Sequence, residues 1–248
     1  MKILSIDTAS NICGVSILED SSLICNLDKN TDRTHSENLM PMIDKAFKDS
    51  NLNLKDMDLL VCDVGPGSFT GLRIGVATIK AFKDSLHIPC IGISSLQILA
   101  YNIKDLLNED DIVASIMDCK NNNCYFALYQ KKHNIIETLI EPQAEDIDTG
   151  LNIISSYISD NFDNINLTFV GDGSVLFKDN IKTYFSTANF ADDKSNILNS
   201  YSLGLAGLDF YNNFELEDDI LPLYLKKPQA QKLLEEKEKK AKENNNNN

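Results

Sequence analysis

KILSIDTASNICGVSILEDSSLI, residues 2–24, decides how the rest of the chain is read. An apolar run closes on Asp7, a short polar turn follows, and a second apolar run answers the first, so the segment reads as a β-hairpin. IVASIMDCKNNNCYFALYQKKHNII, residues 112–136, repeats the layout with Asp118 in the place of Asp7. Each hairpin precedes a further strand that ends in an acidic turn containing glycine. These are LLVCDVGPGS at 59–68 and LTFVGDGSVL at 167–176. Two related α/β halves follow from the repetition, residues 1–104 and residues 105–230. Between the landmarks the period changes to that of helices: SENLMPMIDKAFKDS (36–50) sets Leu39, Ile43 and Phe47 four apart, and GLRIGVATIKAFKDSL (71–86) forms a second helical pattern.

The turn GPGSFTGLR, residues 65–73, joins a strand to a helix. Unpaired N–H groups and the positive end of the helix dipole favour anions at such a junction. The spacing nevertheless departs from known phosphate loops. Leu72-Arg73 stands where a P-loop has Lys-Ser/Thr, and Gly71 comes one residue late for the dinucleotide fingerprint. Pro66 has no N–H to offer. The turn therefore reads either as a phosphate cradle or as a tight corner whose glycines allow close helix–strand packing. Ser68 does not sit in a G-x-S-x-G elbow, since position 70 is Thr70, and no histidine is identifiable as its base. Asp7 reads equally as a ligand of a magnesium nucleotide and as a turn former. For Asp63, Asp118 and Asp172, turn chemistry is the preferred reading.

The chain has 248 residues, and 37 acidic against 23 basic side chains give a formal charge of −14. Nucleic acid is bound chiefly by cationic side chains, so this chain is not expected to hold RNA by itself. Cysteines at 13, 25, 62, 90, 119 and 124 form no CxxC pair and fall mostly in apolar runs, the pattern of core thiols in a reducing compartment. No apolar run is long enough to span a membrane and no signal peptide is recognisable, so a soluble cytoplasmic protein is expected. From about 231 to 248 the sequence turns to KLLEEKEKKAKE and five asparagines, a composition expected to be disordered.

Hairpins with a strand-ending aspartate in two halves, and glycine turns after later strands, resemble the actin, hexokinase and Hsp70 (ASKHA) superfamily. Its members hold a nucleotide in the cleft between the halves. ILSIDTAS (3–10), HSENLMPMI (35–43), GPGSFTGLRIGVATIKAF (65–82) and PLYLKKPQA (222–230) make the resemblance narrower. Over about residues 1–230 the chain resembles the bacterial TsaB (YeaZ) family. That resemblance implies a part in the biosynthesis of tRNA threonylcarbamoyladenosine (t6A), as a degenerate paralogue of TsaD, the transferase acting on tRNA adenosine 37. In TsaD-like proteins a strand like PCIGI (89–93) leads into an Asn-His-Leu-Glu-Gly-His helix that binds a metal. Here the run is Ser94-Ser95-Leu96-Gln97-Ile98-Leu99, with Ser95 and Leu99 in the histidine positions, so neither a metal nor catalysis is expected. His35, His87 and His133 are scattered and read as surface or capping residues.

The resemblance further implies a non-catalytic scaffold that pairs with a TsaD-like transferase, joins a TsaE-like ATPase in one complex, and reaches tRNA only through them. Alone, it would pair with a second copy. The chain by itself is expected to hold no cofactor; ATP or ADP with Mg would lie at the partner interface, near Asp7, Thr8, Gly65, Gly67, Ser68, Thr70, Gly71 and Arg73. The helices of the first half supply the pairing surface, and their surplus apolar residues make Leu39, Met40, Ile43, Phe47, Ile74, Ile79 and Phe82 its candidates. The rival reading is an enzyme, a small ATP-dependent phosphotransferase of the same superfold that uses Asp7 and the 65–71 turn. A metalloprotease reading fails on the missing histidine pair.

Overall fold

Alternating apolar residues in the two hairpins need two covered faces, and the observed sheets provide them. The structure, a computed structural model, describes residues 1–30, 35–215 and 219–226. In the first half, β1 (Lys2–Asp7), β2 (Ile12–Glu19), β3 (Ser22–Asn30), β4 (Leu59–Gly65) and β5 (Cys90–Ser94) form a sheet ordered β3-β2-β1-β4-β5. The helices α1 (His35–Ser50), α2 (Phe69–Leu86) and α3 (Ser95–Asn102) belong to this half. The second half contributes β6 (Ile112–Asp118), β7 (Asn123–Lys132), β8 (Ile135–Asp146), β9 (Leu167–Val170) and β10 (Asn189–Phe190), ordered β10-β9-β6-β7-β8. Each sheet is an antiparallel three-strand meander extended by parallel strands on the other side of its first strand. The duplication read from the hairpins is thus a duplication of whole sheets.

Three apolar layers result. Leu4, Ile6, Val15 and Leu60 of the first sheet pack with Leu39, Ile43 and Ala46 of α1 and with Val76 and Ile79 of α2. Opposite faces of the same strands, through Ile3, Leu18 and Val61, meet α3, Leu203 of α7 (Ser200–Asn213) and residues of the second sheet such as Val113 and Tyr129. On its far face the second sheet is covered by α4 (Ile147–Asn161) and α6 (Lys178–Tyr184), around Phe126 and Phe169. A short helix, α5 (Asp172–Leu176), follows β9 directly. The halves therefore share one apolar layer.

Several features differ from the sequence expectations. Ser68 caps α2 by accepting the Gly71 N–H, so the helix begins at Phe69, ahead of its apolar period. α1 runs unbroken through Pro41, because its buried stripe of Leu39, Ile43 and Ala46 holds the backbone on both sides. α7, which falls in the C-terminal half by sequence position, packs on the first sheet, where Gly207 lets it approach Val61 closely. Of the candidate pairing residues, Leu39, Ile43 and Ile79 are buried in the core of the chain itself and present no surface to a partner. The tail at 231–248 lies outside the described residues.

This burial makes a charge at Ile43 a matter of stability rather than of pairing. Ile43→Asp or Ile79→Asp places an unpaired carboxylate in the layer between helices and sheet and should destabilise the fold by about 3 kcal/mol or more. Urea unfolding followed by circular dichroism is the check; a variant melting like the parent would mean that these side chains face outward.

Candidate functional site

β1 and β4 pair in parallel from Ile3↔Leu59 to Ile6↔Cys62, which brings the next residues, Asp7 and Asp63, together at one end of the first sheet. Both are fully buried. Asp7 Oδ1 accepts the Ala9 N–H at 2.8 Å. Asp63 Oδ1 accepts the Gly65 N–H at 2.7 Å, and Ser95 Oγ lies 2.7 and 2.9 Å from the two Asp63 oxygens. Asp7 Oδ2 accepts from no N–H or hydroxyl donor among the described residues, while the Asp7 and Asp63 carboxyls lie close enough to share a hydrogen bond when one of them is protonated. Burial first, then the charge of Asp63, pushes Asp7 well above the ordinary carboxylate range. Burial also raises Asp63, to about 6, against the pull of Ser95 and the Gly65 N–H. Two carboxyls this close and this dry do not both ionise readily, and the pair holds a proton above the ordinary carboxylate range.

The 65–71 turn packs onto this corner. The Ser68 N–H donates to Ala9 O at 2.7 Å, and Thr8 Oγ1 donates to Gly71 O at 2.8 Å. Ser68 itself takes the N–H groups of Gly71, on its hydroxyl at 3.2 Å, and of Leu72, on its carbonyl at 2.9 Å. A Cβ at Gly67 would run into the Ala9 carbonyl, and one at Gly71 into that of Thr8. The glycines therefore serve close helix–strand contact, and three N–H groups of the kind a phosphate would use are engaged within the chain. Of the eight residues expected around a nucleotide, Asp7, Thr8, Gly65 and Gly71 are buried, Gly67 is half-buried, and only Ser68, Thr70 and Arg73 are exposed. The corner does not fit a magnesium nucleotide held by this chain alone.

A C-terminal segment, 219–226, crosses the same corner. The Leu223 N–H donates to Val64 O at 2.7 Å. Tyr224 stacks on Phe69 with ring centres 4.5 Å apart and accepts the Arg73 Nε–H on its hydroxyl at 2.9 Å. Lys226 Nζ reaches Cys119 O in the second hairpin at 3.3 Å. Local sequence carries no signal for these contacts, which join positions 107 or more residues apart, whereas the Ser68 cap had one in its residue type.

The remaining candidates are dispersed. Asp118 and Asp172 form a second pair, with the Asp118 N–H donating to Asp172 Oδ1 at 3.0 Å. Among the described residues no three His, Cys, Asp or Glu side chains converge as metal ligands. Ser95 is tied to Asp63, while Leu99, one turn along α3, is buried in the core. His35 Nε2 lies 2.8 Å from Ser10 O, His87 closes α2 in the left-handed conformation, and His133 sits in the β7–β8 turn. On the outer side of α1 and α2, Met40 is 52% exposed. Phe47, Ile74 and Phe82 are half-buried.

Comparison with known proteins gives a consistent result. The family described as TsaD, tRNA N6-adenosine threonylcarbamoyltransferase, matches residues 28–244. The tRNA threonylcarbamoyladenosine biosynthesis protein TsaB of Bacillus subtilis is 33% identical over 143 residues, covering 58% of this chain and 61% of that protein. The chain spans about three fifths of the length of the curated relatives it matches. YeaZ from Pseudomonas aeruginosa superimposes with a TM-score of 0.70 at 20% identity, over 90% of this chain and 99% of that one. The ROK hexokinase of Thermus thermophilus does so at 0.50 and 9% identity, over 83% and 98%. The fold is the actin-, hexokinase- and Hsp70-like one.

Two outcomes follow from the corner. Gly71→Ala forces a methyl group against the Thr8 carbonyl and should cost about 2 kcal/mol, read from denaturant midpoints. The carboxyl pair binds protons more tightly folded than unfolded, so its contribution is complete below the ordinary value of 3.8 and is lost as pH rises through about 6 and beyond. Asp7→Asn retains the bond from Ala9 and removes the second charge. It should therefore be more stable than the parent by about 1 kcal/mol at pH 8, with the difference vanishing toward pH 4. Equal pH profiles for the two proteins would show that Asp7 ionises freely in the fold.

Proposed function

The chain belongs to the TsaD family, in its TsaB (YeaZ) branch, and on that premise we propose that it is a non-catalytic scaffold of tRNA threonylcarbamoyladenosine biosynthesis. The observation that carries the reading is the closed corner. Asp7 is buried and shares its protonation with Asp63, and Gly67 and Gly71 lie against the backbone of Ala9 and Thr8. In this proposal the chain pairs with a TsaD-like transferase, supports its transfer of threonylcarbamoyl to tRNA adenosine 37, and joins a TsaE-like ATPase in the complex. tRNA is bound by the assembly, since 37 acidic against 23 basic side chains leave this chain repelling phosphate. The cytoplasm is the proposed place of action. No helix among the described residues is long and apolar enough to cross a membrane.

The pairing surface in this reading is the outer side of α1 and α2, with Met40, Phe47, Ile74 and Phe82 and without the three core residues. An exposed methionine on one helix and half-buried aromatic and aliphatic side chains on the pair suit an adaptable protein contact. The same surface would serve a second copy of the chain when the transferase is absent. ATP or ADP with Mg, in this proposal, belongs to the joint interface, where the exposed Ser68, Thr70 and Arg73 are the residues of this chain able to meet it.

The deciding experiment is t6A formation on tRNA in a mixture of threonylcarbamoyl-adenylate, the TsaD-like transferase and the TsaE-like ATPase, with and without this chain. Product is expected only when the chain is added, and none from the chain with donor and tRNA alone. Met40→Asp, at a side chain that is 52% exposed, should leave the melting curve in place and abolish co-elution with the transferase. Asp7→Asn should retain full support; its failure, together with Mg-ATP turnover by the isolated parent chain, would favour a phosphotransferase.

A further inference from the structure

The C-terminal segment meets α2 at both of its ends. Asp219 pairs with Lys80 at 2.7 Å, while Tyr224 stacks on Phe69 and takes the Arg73 Nε–H. Phe69, Arg73 and Lys80 share one side of α2, because offsets of four and eleven positions return to nearly the same helical angle. Phe69 and Lys80 stand about 16 Å apart along the helix axis, the reach of about five extended residues, so the segment runs antiparallel to α2. Lys226 then crosses to the second half, with Nζ 3.3 Å from Cys119 O and 6.0 Å from the centre of the Tyr125 ring.

These attachments are light for the length they hold. Of residues 219–226 only Ile220 is buried. The bond from the Leu223 N–H to Val64 O is the one main-chain bond between the segment and the rest of the described chain. The side chains of the Lys80–Asp219 pair are 35% and 51% exposed, and exposed ion pairs stabilise little. Against these contacts stands the conformational entropy lost in ordering the segment. Val61 of β4, by contrast, is fully buried and pairs with β1 on one side and β5 on the other. A segment with so few buried contacts opens at a free energy well below that of the sheet beneath it.

We propose that residues 219–226 are a strap that opens and closes as a unit on the folded chain, and that its opening frees Phe69, Arg73 and Lys80 together. Closed, the strap withholds this side of α2 from any other molecule, with Tyr224 on the ring and the guanidinium and Asp219 on the ammonium. Open, α2 presents an aromatic ring with two cations, and the tie from Lys226 to the second half is lost. The device belongs to the chain alone and does not depend on the pairing proposed above.

Two native thiols report on the strap. Cys90 and Ile220 belong to one apolar cluster, and Cys90, Asp219 and Ile220 line one small cavity, so an open strap uncovers the buried Cys90 thiol. Cys62 of the same cluster lies beneath α2 at Gly75 and is uncovered only when the fold itself opens. Timed labelling of the full chain with N-ethylmaleimide, read at each cysteine by mass spectrometry, should modify Cys90 at least about 100-fold faster than Cys62. Amide exchange should likewise be faster at Leu223 than at Val61 by about 100-fold or more. Ile220→Ala combined with Tyr224→Ala should keep the circular dichroism of the parent and speed Cys90 labelling by about tenfold or more. Equal rates at Cys90 and Cys62, or exchange at Leu223 as slow as at Val61, would show that the segment leaves only with the whole fold and would overturn the proposal. Cys90 labelling unchanged in the folded double variant would overturn it as well.

Discussion

The first turn of α2 lies against the end of β1 at backbone distance, and the architecture of the first half depends on that contact. Gly67 and Gly71 permit it because no side chain stands between the two backbones, and the bonds from Ser68 to Ala9 and from Thr8 to Gly71 fasten it. Once α2 is pinned there, Val76 and Ile79 fall on the sheet and Ile74 and Phe82 fall at its margin. The same contact uses backbone N–H groups of the kind a phosphate would otherwise take. Tight packing and phosphate binding compete for the same N–H groups, and in this chain packing has them.

The two halves share one plan and diverge in how they end. In each, the first strand and its parallel neighbour bring two acidic residues together, Asp7 with Asp63 and Asp118 with Asp172. The first pair is sealed beneath α3, with Ser95 bonded to Asp63. The second remains near solvent, where Lys120 ion-pairs with Asp118. Sealing raises the protonation range of the first pair and turns a polar pair into part of a core. α7 and the segment from 219 to 226 deepen the asymmetry by returning from the second half to the first. They cover a sheet face and the mouth of the glycine turn, for which the first half has no counterpart of its own.

Much of this was legible from residue order. Apolar periods near 2 and 3.6, strand-ending aspartates and a glycine turn fixed the hairpins, the order of elements and the duplication, since these depend on neighbours a few residues apart. The same local patterns marked α1 and α2 and the apolar surplus on them. Burial was a different matter. Leu39, Met40 and Ile43 are all apolar residues of one helix, yet Met40 is exposed while Leu39 and Ile43 are core, because the sheet covers only one side.

The sequence by itself determined the strands, the helices, the repeat and the family, because each is written in short-range pattern or in motif. Tertiary structure alone decided which aspartates meet, which glycines face backbone and where Tyr224 stacks. Those facts rest on contacts between positions far apart in the chain. The bond from Ser95 to Asp63 spans 32 positions and the one from Arg73 to Tyr224 spans 151, and no local preference encodes distances of that kind.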